Sequence, residues 1–374
     1  MFLLNHEKIT KTINDKRPPT FRIIENIVNK SHRFEDLDLS DIFYLLKCKD
    51  NEELFNYVID AANRLKEIVF GNKIKIYVPL YITNICANNC MYCGFRKDNK
   101  SLKRKLLTLN EFKKEVEYVL NIGHRNIEIV SAYHSELNSR ELSKYIEIAS
   151  DELTKHGKGS IILMTEPMEV DDYVLLKAAG LQEVYNWQET YSKERYLQLH
   201  PFGNHKHDYN YRISVYERAV HAGIERVGMG VLFGLYNWEY DVLALMSHAM
   251  WFKKEFASPP YAFGIPRFKK AHGAFIEKPY TKITNKMYRL SVAIYRLAFP
   301  YTHTYMNTRE NMKLIIELCK GGGSEVNTEA STVPGGYTGQ FENGEQFFHY
   351  SYNSNATFKI LQRHGFDPEF NGDR

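Results

Sequence analysis

From residue 74 onward the chain alternates short β-rich runs with longer amphipathic runs, and this alternation constrains the fold more than any other feature. The first unit joins the apolar run IKIYVPLYI at 74–82 to a predicted helix at 107–123. At least six such units follow one another, each about 30 to 40 residues long. Repeated βα units build a parallel sheet, and their number favours a closed (β/α)8 barrel, an α/β fold of the TIM type.

The chain divides into three predicted parts. Residues 1–70 are predicted to be helical throughout, because apolar residues recur at helical spacing up to a helix stop at Gly71. Residues 71–335 form the predicted barrel, and no Pro- or Ser-rich linker divides it. Residues 336–374 are rich in Gly, Asn and aromatic residues and are predicted to form an irregular extension that packs on the barrel.

The composition indicates a globular chain with a substantial core. Of 374 residues, 44% are hydrophobic, and the formal net charge is +4. Such a small charge does not predict a nucleic-acid or membrane surface. The start of the chain lacks the features of a signal peptide, and no apolar run approaches the ~18 residues that span a bilayer. We therefore expect a cytoplasmic protein with no nucleic-acid partner and no membrane association.

Three of the five cysteines fall within the stretch CANNCMYCGF, at residues 86–95. Their C-x₃-C-x₂-C spacing predicts a metal site, and it follows the first predicted strand, at the end of a barrel where chemistry takes place. One alternative is structural zinc, with His134 or Cys319 as the fourth ligand. The other is a [4Fe–4S] cluster with one iron left open. The remaining cysteine, Cys48, and also Cys319 lie in apolar helical contexts typical of buried thiols.

The spacing of Cys86, Cys90 and Cys93, with Tyr92 before the last cysteine, is the pattern of the radical S-adenosylmethionine (SAM) superfamily. Within it the chain resembles the aromatic amino-acid lyases: 2-iminoacetate synthase of thiamine biosynthesis, the tyrosine lyase of [FeFe]-hydrogenase maturation and the tryptophan lyase. The resemblance runs from about residue 70 to about residue 340. It rests on an ordered series of motifs: VPLYITNICANNCMYCGF, WQETY, RYLQLHP, DYNYR, GVLFGLYNW, IPRF, NTRE and VPGGY.

The resemblance implies a cofactor site for a [4Fe–4S] cluster and SAM. Tyr92 would contact the adenine, Arg212 would pair with the SAM carboxylate, and the polar pair Gln188 and Glu189 would bind the ribose. A packing role for Tyr92 and a surface position for Arg212 are the alternatives. The stretch GMGVLFGL would bring backbone close to adenosine, and its relevant residues are Gly228, Gly230, Val231 and Gly234.

The resemblance also implies four substrate-binding residues. Arg309 matches the arginine that holds the amino-acid carboxylate, and Tyr81 matches a tyrosine that faces the substrate. Arg267 is a second cation near a strand end, and a buried arginine needs an anion as its partner. Tyr81 and Arg267 can equally serve the architecture. Asn327 stands where the relatives commonly have a serine near the substrate.

Several residues depart from the pattern of the lyases. Ala132 and Tyr133 replace a Gly-Glu pair that helps to hold the SAM amino group, and Glu166 occupies a usually uncharged position. We hypothesise that Glu166 takes over the role of the lost carboxylate, beside Tyr133 in the SAM site. Asn311 and Met312 replace the usual Pro-containing turn. These changes leave room for a substrate other than tyrosine.

The activity implied by the resemblance is a radical carbon–carbon lyase. A one-electron donor such as flavodoxin or ferredoxin would reduce the cluster, and Cα–Cβ scission of L-tyrosine would give dehydroglycine and p-cresol. The alternatives are tryptophan or another small anionic substrate, with rearrangement or transfer as the outcome, and a non-catalytic scaffold stabilised by metal. No cysteine follows Cys319, so we do not expect a second cluster that makes diatomic ligands.

Overall fold

The structure is a computed structural model, and it describes residues 1–339, 345–350 and 352–370. Eight parallel strands close into a barrel in the order β2-β3-β4-β5-β6-β7-β8-β1, with β1 pairing back onto β2. The strands are β1 (Lys73–Thr83), β2 (Asn126–Ser131), β3 (Ser160–Met164), β4 (Glu183–Trp187), β5 (Arg226–Gly230), β6 (Ala262–Gly264), β7 (His303–Met306) and β8 (Glu325–Asn327). This confirms the predicted (β/α)8 barrel.

Helices surround the barrel and precede it. They are α1 (His6–Ile13), α2 (Phe21–His32), α3 (Leu39–Lys47), α4 (Glu52–Phe70), α5 (Leu109–Asn121), α6 (Ser139–His156), α7 (Val170–Ala178), α8 (Lys193–Leu199), α9 (Tyr209–Ile213), α10 (Val215–His221), α11 (Trp238–Phe256), α12 (Asn285–Ala298), α13 (Met312–Lys320) and α14 (Ser354–Arg363). In the described residues no helix is long and apolar enough to cross a membrane.

The first four helices pack on the outside of the barrel. Helix α4 ends at Gly71, which adopts a positive φ of 61° that suits glycine. Helices α2, α3 and α4 contact α12, and α1 and α3 contact α11. Buried residues such as Leu45 and Phe55 belong to the same hydrophobic core as the barrel helices. The amino-terminal helices therefore extend the core of the barrel.

The carboxyl-terminal part is more regular than its composition predicts. It contains helix α14 and a short ninth strand, β9 (Asp367–Glu369), which pairs in parallel with the start of β1. Asn353 caps α14 by accepting a hydrogen bond from the backbone of Ala356. Residues 340–344, 351 and 371–374 of the predicted extension lie outside the described residues.

The amino end of the barrel interior is filled by charge and aromatic rings. Lys75 lies 3.4 Å from a carboxylate oxygen of Glu183 and 3.1 Å from one of Glu325. Above this cluster Tyr77 and Tyr305 stack with ring centroids 4.2 Å apart. These groups close the amino end of the interior, so the available space lies at the carboxyl ends of the strands.

Glycines on β5 and β6 make room for this aromatic filling. A Cβ on Gly228 would lie 2.5 Å from the ring of Tyr185, and one on Gly230 would lie 2.3 Å from the ring of Trp187. A Cβ on Gly264 would lie 2.2 Å from the same tryptophan ring. The glycine run therefore accommodates protein side chains, which corrects the expectation that Gly228 and Gly230 serve a close approach to adenosine.

Candidate active site

A cavity opens at the carboxyl ends of the strands, as expected for a barrel of this kind. Eleven of the fourteen predicted site residues line it: Tyr81, Cys86, Cys90, Tyr92, Cys93, Tyr133, Glu166, Glu189, Arg212, Arg309 and Asn327. They come from β1, β8 and the loops after five strands. The fold thus gathers residues that lie more than 240 positions apart in the chain.

The three clustered cysteines face this cavity from the loop after β1. Cys90 is buried, and Cys86 and Cys93 are partly buried. Burial raises the pKa of Cys86 to about 12 and that of Cys90 well above its usual value. Such thiols form stable thiolates only when a positive metal centre compensates their charge.

The described residues do not offer a site for a single metal ion. No three His, Cys, Asp or Glu side chains among them are grouped closely enough to hold one. Cys319 lies in α13 within the hydrophobic core, and His134 Nδ1 accepts a hydrogen bond from the backbone of Glu136. Neither lines the cavity, so neither of the two fourth ligands considered for zinc is available there. A cubane cluster differs because each thiolate binds its own iron.

One arginine that the sequence analysis missed organises the cysteine loop. The guanidinium of Arg104 donates hydrogen bonds to the carbonyl oxygens of Asn84 at 2.5 Å and Phe95 at 2.8 Å. It also donates to the carbonyls of Arg96 at 2.6 Å and Asn99 at 3.1 Å. Four carbonyls on one fixed donor fork hold the loop in a single shape.

A segment from the carboxyl-terminal part contacts the same loop. The backbone of Gly94 donates to the carbonyl of Gln346 at 3.2 Å, and a Cβ on residue 94 would lie only 2.5 Å from that oxygen. Tyr81 donates its hydroxyl to Oε1 of Gln346 at 2.8 Å. Gln346 and its neighbour Phe347 both line the cavity. Nothing in the spacing of the sequence indicated these two residues.

Two cations and two carboxylates form a charged network on the part of the cavity wall that follows β3 and β4. Arg212 is 6% exposed, donates to the carbonyl of Trp187 at 3.0 Å and lies 3.4 Å from Glu166 and 3.7 Å from Glu189. Lys206 donates to Glu189 at 2.6 Å. Burial opposes ionisation of Glu189, but Lys206 and Arg212 lower its pKa below the usual value. The position of Arg212 is therefore buried and central, unlike that of a surface arginine.

Lys206 is a second cation of this wall that sequence reasoning missed. Its ammonium group lies 5.7 Å from the ring centroid of Tyr92, whose hydroxyl is 3.0 Å from Nε2 of His200. Tyr133, which replaces the expected glutamate, stacks on His205 with ring centroids 4.5 Å apart. The charged network of Lys206, Arg212, Glu166 and Glu189 thus adjoins several aromatic faces, a combination that suits a nucleoside with polar substituents.

Arg309 occupies the opposite side of the cavity. It follows β7, its guanidinium carbon lies 3.3 Å from the ring centroid of Phe347, and its Nε is buried without a hydrogen-bond partner in the described residues. Burial lowers the pKa of Arg309. Asn327, at the end of β8, likewise has a buried Oδ1 without a partner. Such groups are typical of a site that pairs with a bound molecule.

Three predicted site residues do not line the cavity. Arg267 is held by Glu310, whose Oε1 accepts from Nε at 2.7 Å, and by Asn285 at 2.9 Å. Its charge is therefore satisfied within the protein, which favours the architectural alternative. Val231 packs in the hydrophobic core. Gln188 is fully buried, and its backbone N–H donates to the carbonyl of Gly230 at 2.8 Å. Its neighbours Trp187 and Glu189 line the cavity, so strand alternation directs the side chain of Gln188 away from it.

Comparison with known proteins agrees with this geometry. A family model described as "Radical SAM superfamily" matches residues 80–246. The chain is 28% identical over 351 residues to 2-iminoacetate synthase of Salmonella typhimurium, covering 92% of this chain and 87% of that protein. A crystal structure of HydG, a maturase of the [FeFe]-hydrogenase, matches with a TM-score of 0.91 and 31% identity over 98% of this chain and 80% of that chain. The chain belongs to the radical SAM family of aromatic amino-acid lyases.

Another member of this family has nearly the same fold. HydG from Carboxydothermus hydrogenoformans superposes with a TM-score of 0.87 and 29% identity, and the match covers 97% of this chain and 83% of that chain. Radical SAM enzymes use a [4Fe–4S] cluster and SAM, and the residues of this cavity fit both groups. The three thiols of the cysteine loop face the cavity and match the ligand set of such a cluster, and the wall around Arg212 offers charges of both signs in the same cavity.

Proposed function

We propose that this radical SAM enzyme cleaves the Cα–Cβ bond of L-tyrosine and releases dehydroglycine and p-cresol. The observation that carries the proposal is Arg309, a partly buried cation in the same cavity as the three cysteines, whose buried Nε has no hydrogen-bond partner among the described residues. A buried guanidinium requires an anion, and the carboxylate of an amino acid matches its donor fork. The relatives named 2-iminoacetate synthase and HydG support the choice of reaction class.

In this proposal the residues divide into a cofactor side and a substrate side. Cys86, Cys90 and Cys93 hold the [4Fe–4S] cluster, which together with SAM supplies a 5′-deoxyadenosyl radical. Arg212 pairs with the SAM carboxylate, and Glu166 accepts hydrogen bonds from its amino group. An external one-electron donor of the flavodoxin or ferredoxin kind supplies the electron, in the cytoplasm.

The substrate side orients an amino acid between polar groups and aromatic walls. Arg309 holds the carboxylate, and Asn327 offers its unpaired Oδ1 to a donor such as the substrate amino group. Trp187 and Tyr305 line the same cavity and provide flat apolar surface for an aromatic ring. The protein thereby positions the amino group and excludes water, while the cofactors provide the radical.

The test is a product analysis with the cluster-loaded enzyme. Anaerobic incubation with SAM, a reductant and tyrosine is expected to yield 5′-deoxyadenosine, p-cresol and glyoxylate, the hydrolysis product of dehydroglycine. Arg309→Gln is expected to lower kcat/KM for tyrosine about 100-fold, because a charge-assisted pair is lost. Deoxyadenosine without p-cresol in the wild-type reaction would show that the substrate is another molecule.

A paired cysteine experiment checks the cluster assignment independently of turnover. Cys93→Ser is expected to reduce iron and sulfide content and to abolish the SAM-dependent change in the EPR spectrum of the reduced cluster. Cys319→Ser is the matched control, since that thiol is buried in α13 outside the cavity. Equal iron content in the two variants would contradict the assignment.

A further inference from the structure

A buried glutamate lies on the floor of the cavity, apart from the cysteines, Arg212 and Arg309. Glu128 is the third residue of β2, is 2% exposed and lines the cavity. Its Oε2 accepts a hydrogen bond of 2.5 Å from the hydroxyl of Tyr305 on β7. Its Oε1 is buried and has no hydrogen-bond partner within the described part of the chain. One carboxyl oxygen of Glu128 is thus hydrogen-bonded within the protein, and the other is available to a bound molecule.

The depth of Glu128 separates it from the cofactor side. In the barrel register it pairs with Pro79 on β1 and Ile162 on β3, three residues before the end of β2. The cysteine loop and Arg309 instead follow the ends of their strands. The hydrogen bond from Tyr305 crosses the interior from β7 to β2 and forms the floor beneath them.

The surroundings of Glu128 make an unpaired oxygen costly. Its partners in the barrel register, Pro79 and Ile162, are apolar, and the apolar side chains of Val130 and Met164 line the same cavity. Burial, with smaller contributions from Glu325 and Glu183, raises the pKa of Glu128 to about 8. A buried carboxyl oxygen in such surroundings is normally satisfied by a partner, and the cavity is the side on which a partner can arrive.

Building on the proposed lyase function, we propose that Glu128 determines substrate specificity by forming a hydrogen bond with a hydroxyl group on the aromatic ring of the substrate. With Arg309 on the carboxylate and Glu128 on the ring hydroxyl, the substrate is held at both ends. A phenol hydroxyl both donates and accepts, so it satisfies Glu128 in either protonation state. Phenylalanine leaves Oε1 unpaired, and the indole of tryptophan only donates.

The experiment measures equilibrium binding, which does not depend on turnover. Cluster-loaded protein with SAM but without reductant is titrated with tyrosine, phenylalanine and tryptophan. The wild type is expected to bind tyrosine at least about 10-fold more tightly than phenylalanine, as sites that pair with a substrate hydroxyl do. In Glu128→Leu this ratio is expected to fall to within about 3-fold, and Glu128→Gln, which keeps an amide for the hydroxyl, is expected to lie between them.

A matched control removes another buried glutamate of the barrel interior. Glu325→Gln changes a buried carboxyl on β8 that does not line the cavity, and it is expected to keep the wild-type binding ratio. Thermal unfolding of each variant establishes that it is folded. If Glu128→Leu does not fold, the nearly isosteric Glu128→Gln decides the question by its reduced ratio.

The inference and the proposed function fail in different ways. A tyrosine-to-phenylalanine ratio near one in the wild type, or an unchanged ratio in both Glu128 variants, would overturn the role of Glu128 even if p-cresol is formed. Absence of p-cresol from the wild-type reaction would overturn tyrosine cleavage. A ratio that depends on Glu128 would then still support recognition of a ring hydroxyl on another phenolic substrate.

Discussion

At the level of single residues, the carboxylate beside Arg212 is the most informative departure from the lyase pattern. Glu166 follows β3, lines the cavity and lies 3.4 Å from Arg212. The hypothesis that it replaces a missing glutamate requires it to be inside the site, and its position satisfies that requirement. Tyr133, at the position of the missing glutamate, contributes an aromatic face beside His205.

Glu166→Gln is expected to weaken SAM binding by about 10-fold, because a charge-assisted hydrogen bond to the SAM amino group becomes a neutral one. Equilibrium dialysis of SAM with the cluster-loaded protein measures the change. Glu136→Gln, an exposed change in the loop after β2, is the control and should leave affinity unaltered. Unaltered SAM affinity and cleavage in Glu166→Gln would mean that this residue only neutralises Arg212.

At the level of elements, the loop after β1 depends on its own hydrogen bonds for its shape. Arg104 lies in the same loop, after the three cysteines, and its four acceptors are backbone carbonyls. A sequence motif cannot identify such a residue, because every residue has a backbone carbonyl and the acceptors therefore require no particular side chain. The cysteines themselves were predictable because metal chemistry restricts both residue type and spacing.

Arg104→Gln is expected to lower the iron bound per chain at least about 2-fold after reconstitution, because the amide can satisfy only some of the four carbonyls. Iron analysis measures this, and limited proteolysis should show new cleavage within residues 84–105. Lys103→Gln, at an exposed neighbouring side chain, is the matched control. Full iron content in both variants would show that the cysteines alone define the loop.

At the level of the whole molecule, a buried histidine joins the carboxyl-terminal part to the barrel by a hydrogen bond. His124 Nε2 lies 2.9 Å from the hydroxyl of Ser354, the first residue of α14, and that hydroxyl is 2.7 Å from Thr328. Burial, and secondarily Arg125, lowers the pKa of His124 to about 3. The folded state therefore keeps this histidine neutral where the unfolded chain would protonate it.

Acid should thus destabilise the fold through His124. The pKa of His124 is 6.5 in the unfolded chain and about 3 in the folded protein. Between these two pH values the unfolded state binds a proton that the folded state does not, so the free energy of unfolding falls as the pH falls. When the pH is lowered from 7 to 4, the free energy of unfolding is expected to fall by about 3 kcal/mol less in His124→Gln than in the wild type. Denaturant titrations at several pH values measure this. His364→Gln, at an exposed position after α14, should follow the wild-type curve.

The barrel and the cofactor side were predictable, whereas the floor of the cavity was not. The alternation of β-rich and amphipathic runs predicted at least six strand–helix units, but β8 (Glu325–Asn327) has one apolar residue between two polar ones and offers no apolar run to detect. Motifs identified Arg212 and Arg309. Glu128 and Lys206 could not be predicted from the sequence, because a single charged residue within a strand or loop belongs to no spaced motif. Only the folded barrel places these two side chains at the cavity.

Among the described residues, the charged and aromatic filling closes the amino end of the barrel interior, so the cavity opens at the carboxyl ends of the strands. Lys75, Glu183 and Glu325 occupy the far end of the interior, and the Tyr77–Tyr305 stack lies above them. A molecule that binds to Glu128 as proposed is therefore expected to enter and leave past the cysteine loop and the wall around Arg212. On the proposed function, SAM, the substrate and the products therefore share this one opening, which the cysteine loop and the wall around Arg212 border.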